Sequence, residues 1–254
     1  MQIMNGLILK EWKLSKKMLW QNFATIMLLW ITGFGASLYW KQPEISLGVG
    51  ILLISTHLFY VAVDISVSLY RDTKSMIWLH NPNSAYALLS SKLLVSLITS
   101  LISLVITIGL VFLSGVLLKG EDLMNFEAAE TSIFIFSIAI IGVYLGFWMT
   151  FIFVFIKSVA NKGIAGKTIQ ILIVILTWPV IQLHQYFHDS LMYQKLLMIV
   201  VFPFPTIGTK TEEYGFSFGL DIGEFSLGLI GFYGMVCVGL FMLSTWFIEK
   251  KMEM

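Results

Sequence analysis

Six long apolar stretches divide this chain, and its charges lie almost entirely in the gaps between them. The stretches are Met18–Tyr39, Ile45–Leu69, Leu93–Leu117, Ser132–Ile156, Ile169–Leu183 and Phe225–Ile248. A helix rises about 1.5 Å per residue, so all but the short fifth stretch can cross a hydrocarbon core of roughly 30 Å. The expected fold is an all-α integral membrane protein with six transmembrane helices. A soluble globular enzyme is excluded. Only 12% of the residues are charged and 57% are hydrophobic, whereas soluble domains carry roughly 25% charge. The 254 residues suffice for a single membrane domain with no separate catalytic domain.

The basic residues set the expected topology. With the N-terminus cytoplasmic and sides alternating, the inner side holds Lys10, Lys13, Lys16, Lys17, Arg71, Lys74, Lys92, Lys157, Lys162, Lys167, Lys250 and Lys251. The outer side holds Lys41, Lys119, Lys195 and Lys210. Twelve against four is a strong positive-inside bias, with both termini inside. The first apolar run is too long for a signal peptide and lacks a small-residue cleavage site, so it is expected to be retained. The single cysteine, Cys237, lies within the last stretch and excludes an intrachain disulfide.

Three extramembrane segments stand out. Residues 1–17 mix Ile3, Leu7, Ile8, Trp12 and Leu14 with lysines and Glu11, as expected of an amphipathic elbow helix lying along the interface. Residues 71–91 form the longest cytoplasmic loop. Asp72 or Thr73 is positioned to cap a short helix through Lys74, Met76, Ile77, Trp78 and Leu79, and Asn81-Pro82-Asn83 stops it. Ser84 is placed to cap the next helix. Residues 184–224 are the largest outer segment. Within it, Leu196–Ile207 is too short to span and is broken by Pro203 and Pro205, so a re-entrant or interfacial helix is expected there. Phe202, Pro203, Phe204 and Pro205 would then form an outer gate.

Several fragments of catalytic motifs fail on inspection. Gly166-Lys167-Thr168 ends like a phosphate-binding loop, but Asn161 stands where the first glycine belongs and no strand precedes it. His184 and His188 have zinc-protease spacing, but Gln185 replaces the glutamate. Glu212-Glu213 is similar to the paired glutamates of intramembrane CAAX-type proteases, but Ser217 replaces their arginine. No catalytic, metal or cofactor residue is assigned.

One intramembrane face is polar. His57, Tyr60, Asp64 and Ser68 recur at helical spacing, and Asp64 is the only acid well inside a stretch. Two readings compete: a proton relay or polar pore face, and an interhelical hydrogen bond or a local pair with Arg71. Small residues mark further packing faces. They are Gly142 and Gly146, then Gly228, Gly231 and Gly234, and the row Ser96, Ser100, Ser103 and Thr107.

The whole layout resembles the membrane subunit of type-2 ABC exporters. The shared features are the basic elbow, six spans with both ends inside, the cytoplasmic loop, and broken apolar helices at Leu191–Ile207 before the last span. Within the loop, Leu79-His80-Asn81-Pro82-Asn83-Ser84 and Leu88-Leu89-Ser90-Ser91-Lys92 are similar to the family's Leu-Pro-Ile-Ser…Gly-Lys stretch, departing at His80-Asn81. The resemblance implies a coupling helix near Asp72–Leu79 docking on a separate cytoplasmic ABC ATPase, which would hold the ATP and magnesium. It also implies a second permease copy, as a homodimer or as a heterodimer with a sister permease, in a bacterial plasma membrane. Length and a Lys/Ile/Met-rich composition look like the family's exporters of amphipathic, membrane-active peptides. Partners would be these proteins and membrane lipid, with no nucleic acid. The alternatives are a proton-coupled secondary transporter using His57 and Asp64, and an intramembrane enzyme.

Overall fold

The structure is a computed structural model that describes residues 2–74, 83–118, 128–160, 168, 182, 185–212 and 215–251. Its main helices are α1 (Gln2–Trp40), α2 (Pro43–Thr56), α3 (Tyr60–Lys74), α4 (Ala85–Leu118), α5 (Ala128–Ala160), α6 (Leu191–Leu197) and α7 (Leu227–Lys251). Two strands, β1 (Val201–Glu212) and β2 (Gly215–Ser226), stand between α6 and α7. Among the described residues four helices, α1, α4, α5 and α7, are long and apolar enough to cross a membrane, and there are five if the bent pair α2–α3 counts as one. The chain is a multi-pass membrane protein in its architecture. The stretch Ile169–Leu183 falls largely outside the described residues.

The segment read as a separate elbow is continuous with the first span. α1 runs unbroken for 39 residues, because no proline interrupts it before Lys41 and its glycines, Gly33 and Gly35 among them, are accommodated within the helix. Lys41 then adopts φ 56, in the left-handed region, and Pro43 opens α2 at its first turn.

The second span is not one helix either. It breaks at His57–Phe59, and its halves diverge by 46°. The cause is local. Thr56 Oγ1 donates to the Leu53 carbonyl at 2.7 Å, and His57 Nδ1 lies 2.9 Å from the same oxygen. That carbonyl would otherwise accept the His57 N–H. The backbone donor shifts to Ile54 O at 3.0 Å, and the next three N–H groups follow with the same tighter spacing. Side chains competing for a helix carbonyl bend helices in this way.

One apolar cluster fixes which helix ends meet. Leu69 at the end of α3, Ala85 and Leu89 at the start of α4, Val154 late in α5 and Ile248 late in α7 pack together with Val61 and Ile65. Gly146 lets α5 approach α3, since a Cβ there would lie 2.7 Å from Val61 Cγ1. Of the glycine stripe in the last span, Gly228 is a close-packing position, since a Cβ there would lie 2.5 Å from Leu196 O and 3.0 Å from Ile199 Cβ, whereas Gly231 and Gly234 meet nothing within 4 Å among the described residues.

Every candidate span among the described residues is a helix, as expected, but the re-entrant helix expected over Leu196–Ile207 is not formed, and a two-stranded hairpin stands outside the otherwise helical fold. α6 ends at Leu197, and an antiparallel hairpin follows with Val201 opposite Ser226 and Glu212 opposite Gly215. The expected gate residues Phe202, Pro203, Phe204 and Pro205 lie on β1, opposite Phe225, Glu224, Gly223 and Ile222. Proline forbids helix continuation, yet both strands of a two-stranded sheet are edges, where a missing N–H is tolerated. Thr206, Ile207, Thr209 and Thr211 add β-branched residues to the strand. Ser190 caps α6 by accepting the Tyr193 N–H at 3.2 Å.

Candidate functional site

At the end of the bundle where α3 stops and α4 begins, a lysine is buried. The Lys92 side chain is 1% exposed. An ammonium has three N–H donors, and all three find partners on other helices or turns. Nζ lies 2.9 Å from Glu11 Oε2 on α1 and 2.7 Å from Asp72 Oδ2 on α3. It donates to Ser68 Oγ at 2.8 Å. Ser68 in turn donates to Glu11 Oε2 at 3.1 Å. Arg71 and Lys10 reach Glu11 at 3.6 and 3.4 Å from the rim. One cation thus ties three helices in a place with almost no water.

The cluster is the first layer of a longer seam. α3 and α4 run antiparallel, and polar groups face each other turn by turn. Ser68 meets Lys92. Ser96 donates to Asp64 Oδ2. The Tyr60 phenol lies beside Thr99. His57 Nε2 lies 3.0 Å from Ser103 Oγ, which also accepts from Asn22 Nδ2 on α1 at 2.8 Å. Further along, Trp30 Nε1 on α1 donates to Ser114 Oγ at 2.7 Å. Each of His57, Tyr60, Asp64 and Ser68 is buried. The face picked from helical spacing is therefore turned into the bundle, not toward lipid.

The members of the expected coupling loop separate. Asp72 does not cap a new helix. α3 passes through it to Lys74, and its carboxylate pairs with Lys92. Thr73 donates to the Tyr70 carbonyl at 2.8 Å, and Lys74 is exposed at the helix end. Met76, Ile77, Trp78 and Leu79 lie outside the described residues. Ser84 caps α4, its Oγ accepting from Ala87 N at 3.3 Å. Of the failed motif fragments, residues 166–167, 184 and 213 also lie outside the described set.

Sequence reasoning missed Glu11 and Lys92 as partners, treating Lys92 as a surface determinant of topology. A signal existed. Lys92 is the only charged residue between Lys74 and Lys119, and it heads the row Ser96, Thr99, Ser103 and Thr107 at helical spacing. A lone cation on a hydroxyl-lined face needs a buried anion, and Glu11 is the only acid before Glu44.

Chemically, the cluster holds charge in a low-dielectric place and resists separation of its helices. Removing one partner of such a pair typically costs about 3–5 kcal/mol, because the other charge stays buried. No three His, Cys, Asp or Glu side chains come together as a metal site among the described residues.

No protein-family model and no solved structure matches this chain. It is similar in part to an uncharacterized protein, YhcE, of Bacillus subtilis (strain 168), at 34% identity over 93 residues. The matched region is 37% of this chain and 37% of that relative's length.

Proposed function

We propose that this chain is the permease subunit of an ATP-driven exporter of amphipathic or hydrophobic peptides. It works with a separate cytoplasmic ATPase and a second permease copy. The observation that carries this reading is the Asp72–Lys92–Glu11 tie. Asp72 and Lys92 flank the connection between α3 and α4, and Glu11 extends the tie to α1. A push on that connection by a docked ATPase would therefore move three helices as one. Further support comes from the placement of charge. The apolar cluster brings the late turns of α5 and α7 to the same end, with Lys157 and Lys250, beside Arg71 and Lys74. Such a cation-rich end fits the cytoplasmic side.

The test is co-expression with a soluble P-loop ATPase from the same operon. The pair should co-purify, and Trp78→Ala should weaken the complex or uncouple peptide export while membrane insertion stays normal. Vanadate-sensitive ATP hydrolysis by the isolated chain, or export indifferent to the ATPase, overturns the reading.

A second reading, a proton-coupled transporter, is favoured by one observation. Asp64 is buried with a hydroxyl donor, and no described cation lies within ion-pairing distance of it. Peptide flux driven by a proton gradient without any ATPase would select that reading.

A further inference from the structure

α1 carries its own ruler for the bilayer. Tyr39 and Trp40 are 81% and 61% exposed at one end, and Trp20 is 61% exposed nearer the other. Trp20 and Trp40 are separated by twenty residues, or about 30 Å of helix, the thickness of a hydrocarbon core. Exposed aromatic residues at that separation mark the two interfaces. Between them the outward face is apolar, with Leu28 and Ile31 exposed.

Immediately beyond Trp20 the same exposed face turns cationic. Lys13, Lys16 and Lys17 are all exposed, within about 11 Å of helix from Trp20. That distance is the headgroup layer. The one nearby acid, Glu11, does not compensate them, because it points into the bundle and is held by Lys92. Leu7, Glu11 and Ser15 form the buried face of the same turns. The helix thus hides its anion and displays its cations, at the one depth where lipid phosphates lie.

We propose that Lys13, Lys16 and Lys17 form a binding face for anionic phospholipid headgroups of the surrounding bilayer. The proposal rests on the membrane placement of α1 and not on the exporter reading. Lipid is favoured over an acidic protein because the cations adjoin an exposed apolar surface and an interfacial tryptophan on one continuous helix. Basic residues beside a span attract anionic lipid additively and in a salt-dependent manner.

The test uses the purified full chain in nanodiscs of defined composition, with phosphatidylglycerol and phosphatidylcholine competing for the protein surface. Lipid retained on release is counted by native mass spectrometry. The wild-type chain should favour phosphatidylglycerol by at least about fivefold at low salt, and less at 0.5 M salt. Lys13→Gln/Lys16→Gln/Lys17→Gln should reduce the preference below about twofold. Lys157→Gln/Lys250→Gln, which removes cations on α5 and α7, should lower the preference by less than the α1 variant does. Lys13→Arg/Lys16→Arg/Lys17→Arg should retain it, which separates charge from folding. A preference that survives the glutamine variant, or that salt does not weaken in the wild-type chain, overturns the proposal. So does displacement of retained phosphatidylglycerol by millimolar inorganic phosphate, which would make the face a free-anion site. Retention of an acidic soluble protein in place of lipid overturns it as well.

Discussion

Lys92 and Asp72 are twenty residues apart in sequence and 2.7 Å apart in space, each almost wholly buried. Their contact closes the α3–α4 connection at its base. Lys92→Met removes the one cation that Glu11 and Asp72 share in the buried interior, leaving Glu11 only the rim contacts of Lys10 and Arg71. The variant should lose about 3–5 kcal/mol of stability, read as a lower unfolding midpoint in detergent. The triple variant Glu11→Gln/Asp72→Asn/Lys92→Met removes the stranded charges, so it should recover most of that loss. An unchanged midpoint in Lys92→Met would show that the cluster does not hold the helices together.

Asp64 offers a cleaner separation of structure from chemistry. Its Oδ2 accepts a hydrogen bond from Ser96, and an asparagine carbonyl accepts the same bond without a buried charge. Asp64→Asn should therefore stay folded and keep ATPase-dependent export within about twofold, since hydrogen bonding is preserved. Loss of proton-driven flux in ATPase-free vesicles would instead assign Asp64 a proton-carrying role.

Helical membrane architecture was legible because long apolar runs have one physical solution in lipid. The polar face at His57, Tyr60, Asp64 and Ser68 was legible for the same reason: spacing places side chains on one side of a helix, and burial of that side follows. What spacing could not show is which helix would face it. Glu11 lies 81 residues before Lys92, so their pairing depends on packing and not on local pattern. The break at His57 was hidden because it arises from Thr56 and His57 side chains competing for one carbonyl. The hairpin was missed because the apolar run before Pro203 looks helical. The prolines were weighed as breaks within a helix and not as the start of a strand whose partner lies beyond Glu212.

Two glycines in similar apolar helices should respond in opposite directions. A Cβ on Gly146 would sit 2.7 Å from Val61 Cγ1, on a stiff β-branched side chain. Gly146→Ala should destabilise by about 1–3 kcal/mol through overpacking of α5 on α3. A Cβ on Gly231 meets nothing within 4 Å. Gly231→Ala should be neutral, or stabilising by up to about 1 kcal/mol from helix propensity. Thermal melts of both variants in one detergent give the comparison. Equal effects would mean that α3 and α5 do not approach as closely as Gly146 allows.

The base of the hairpin is pinned to α6, and this makes its topology testable. Ser226 Oγ donates to the Leu196 and Ile199 carbonyls, the second at 3.0 Å, and Leu227 N donates to Val200 O at 3.2 Å. α6 and the start of α7 are thereby held side by side. β1 leaves this junction and β2 returns to it, so a hairpin that does not span the membrane keeps its flanks on one side. Cysteines placed at Gln194 and Thr211 in a Cys237→Ser background should both react with an impermeant thiol reagent from the same side. In Ser226→Ala the two positions should still label alike, but protease sensitivity near Val200 should rise, because the hydroxyl proton shared by the Leu196 and Ile199 carbonyls is lost and only Leu196 O keeps a backbone donor, Ile199 N–H. Labelling of Gln194 and Thr211 from opposite sides would mean that β1 crosses the bilayer and carries the hairpin tip to the far side from its base.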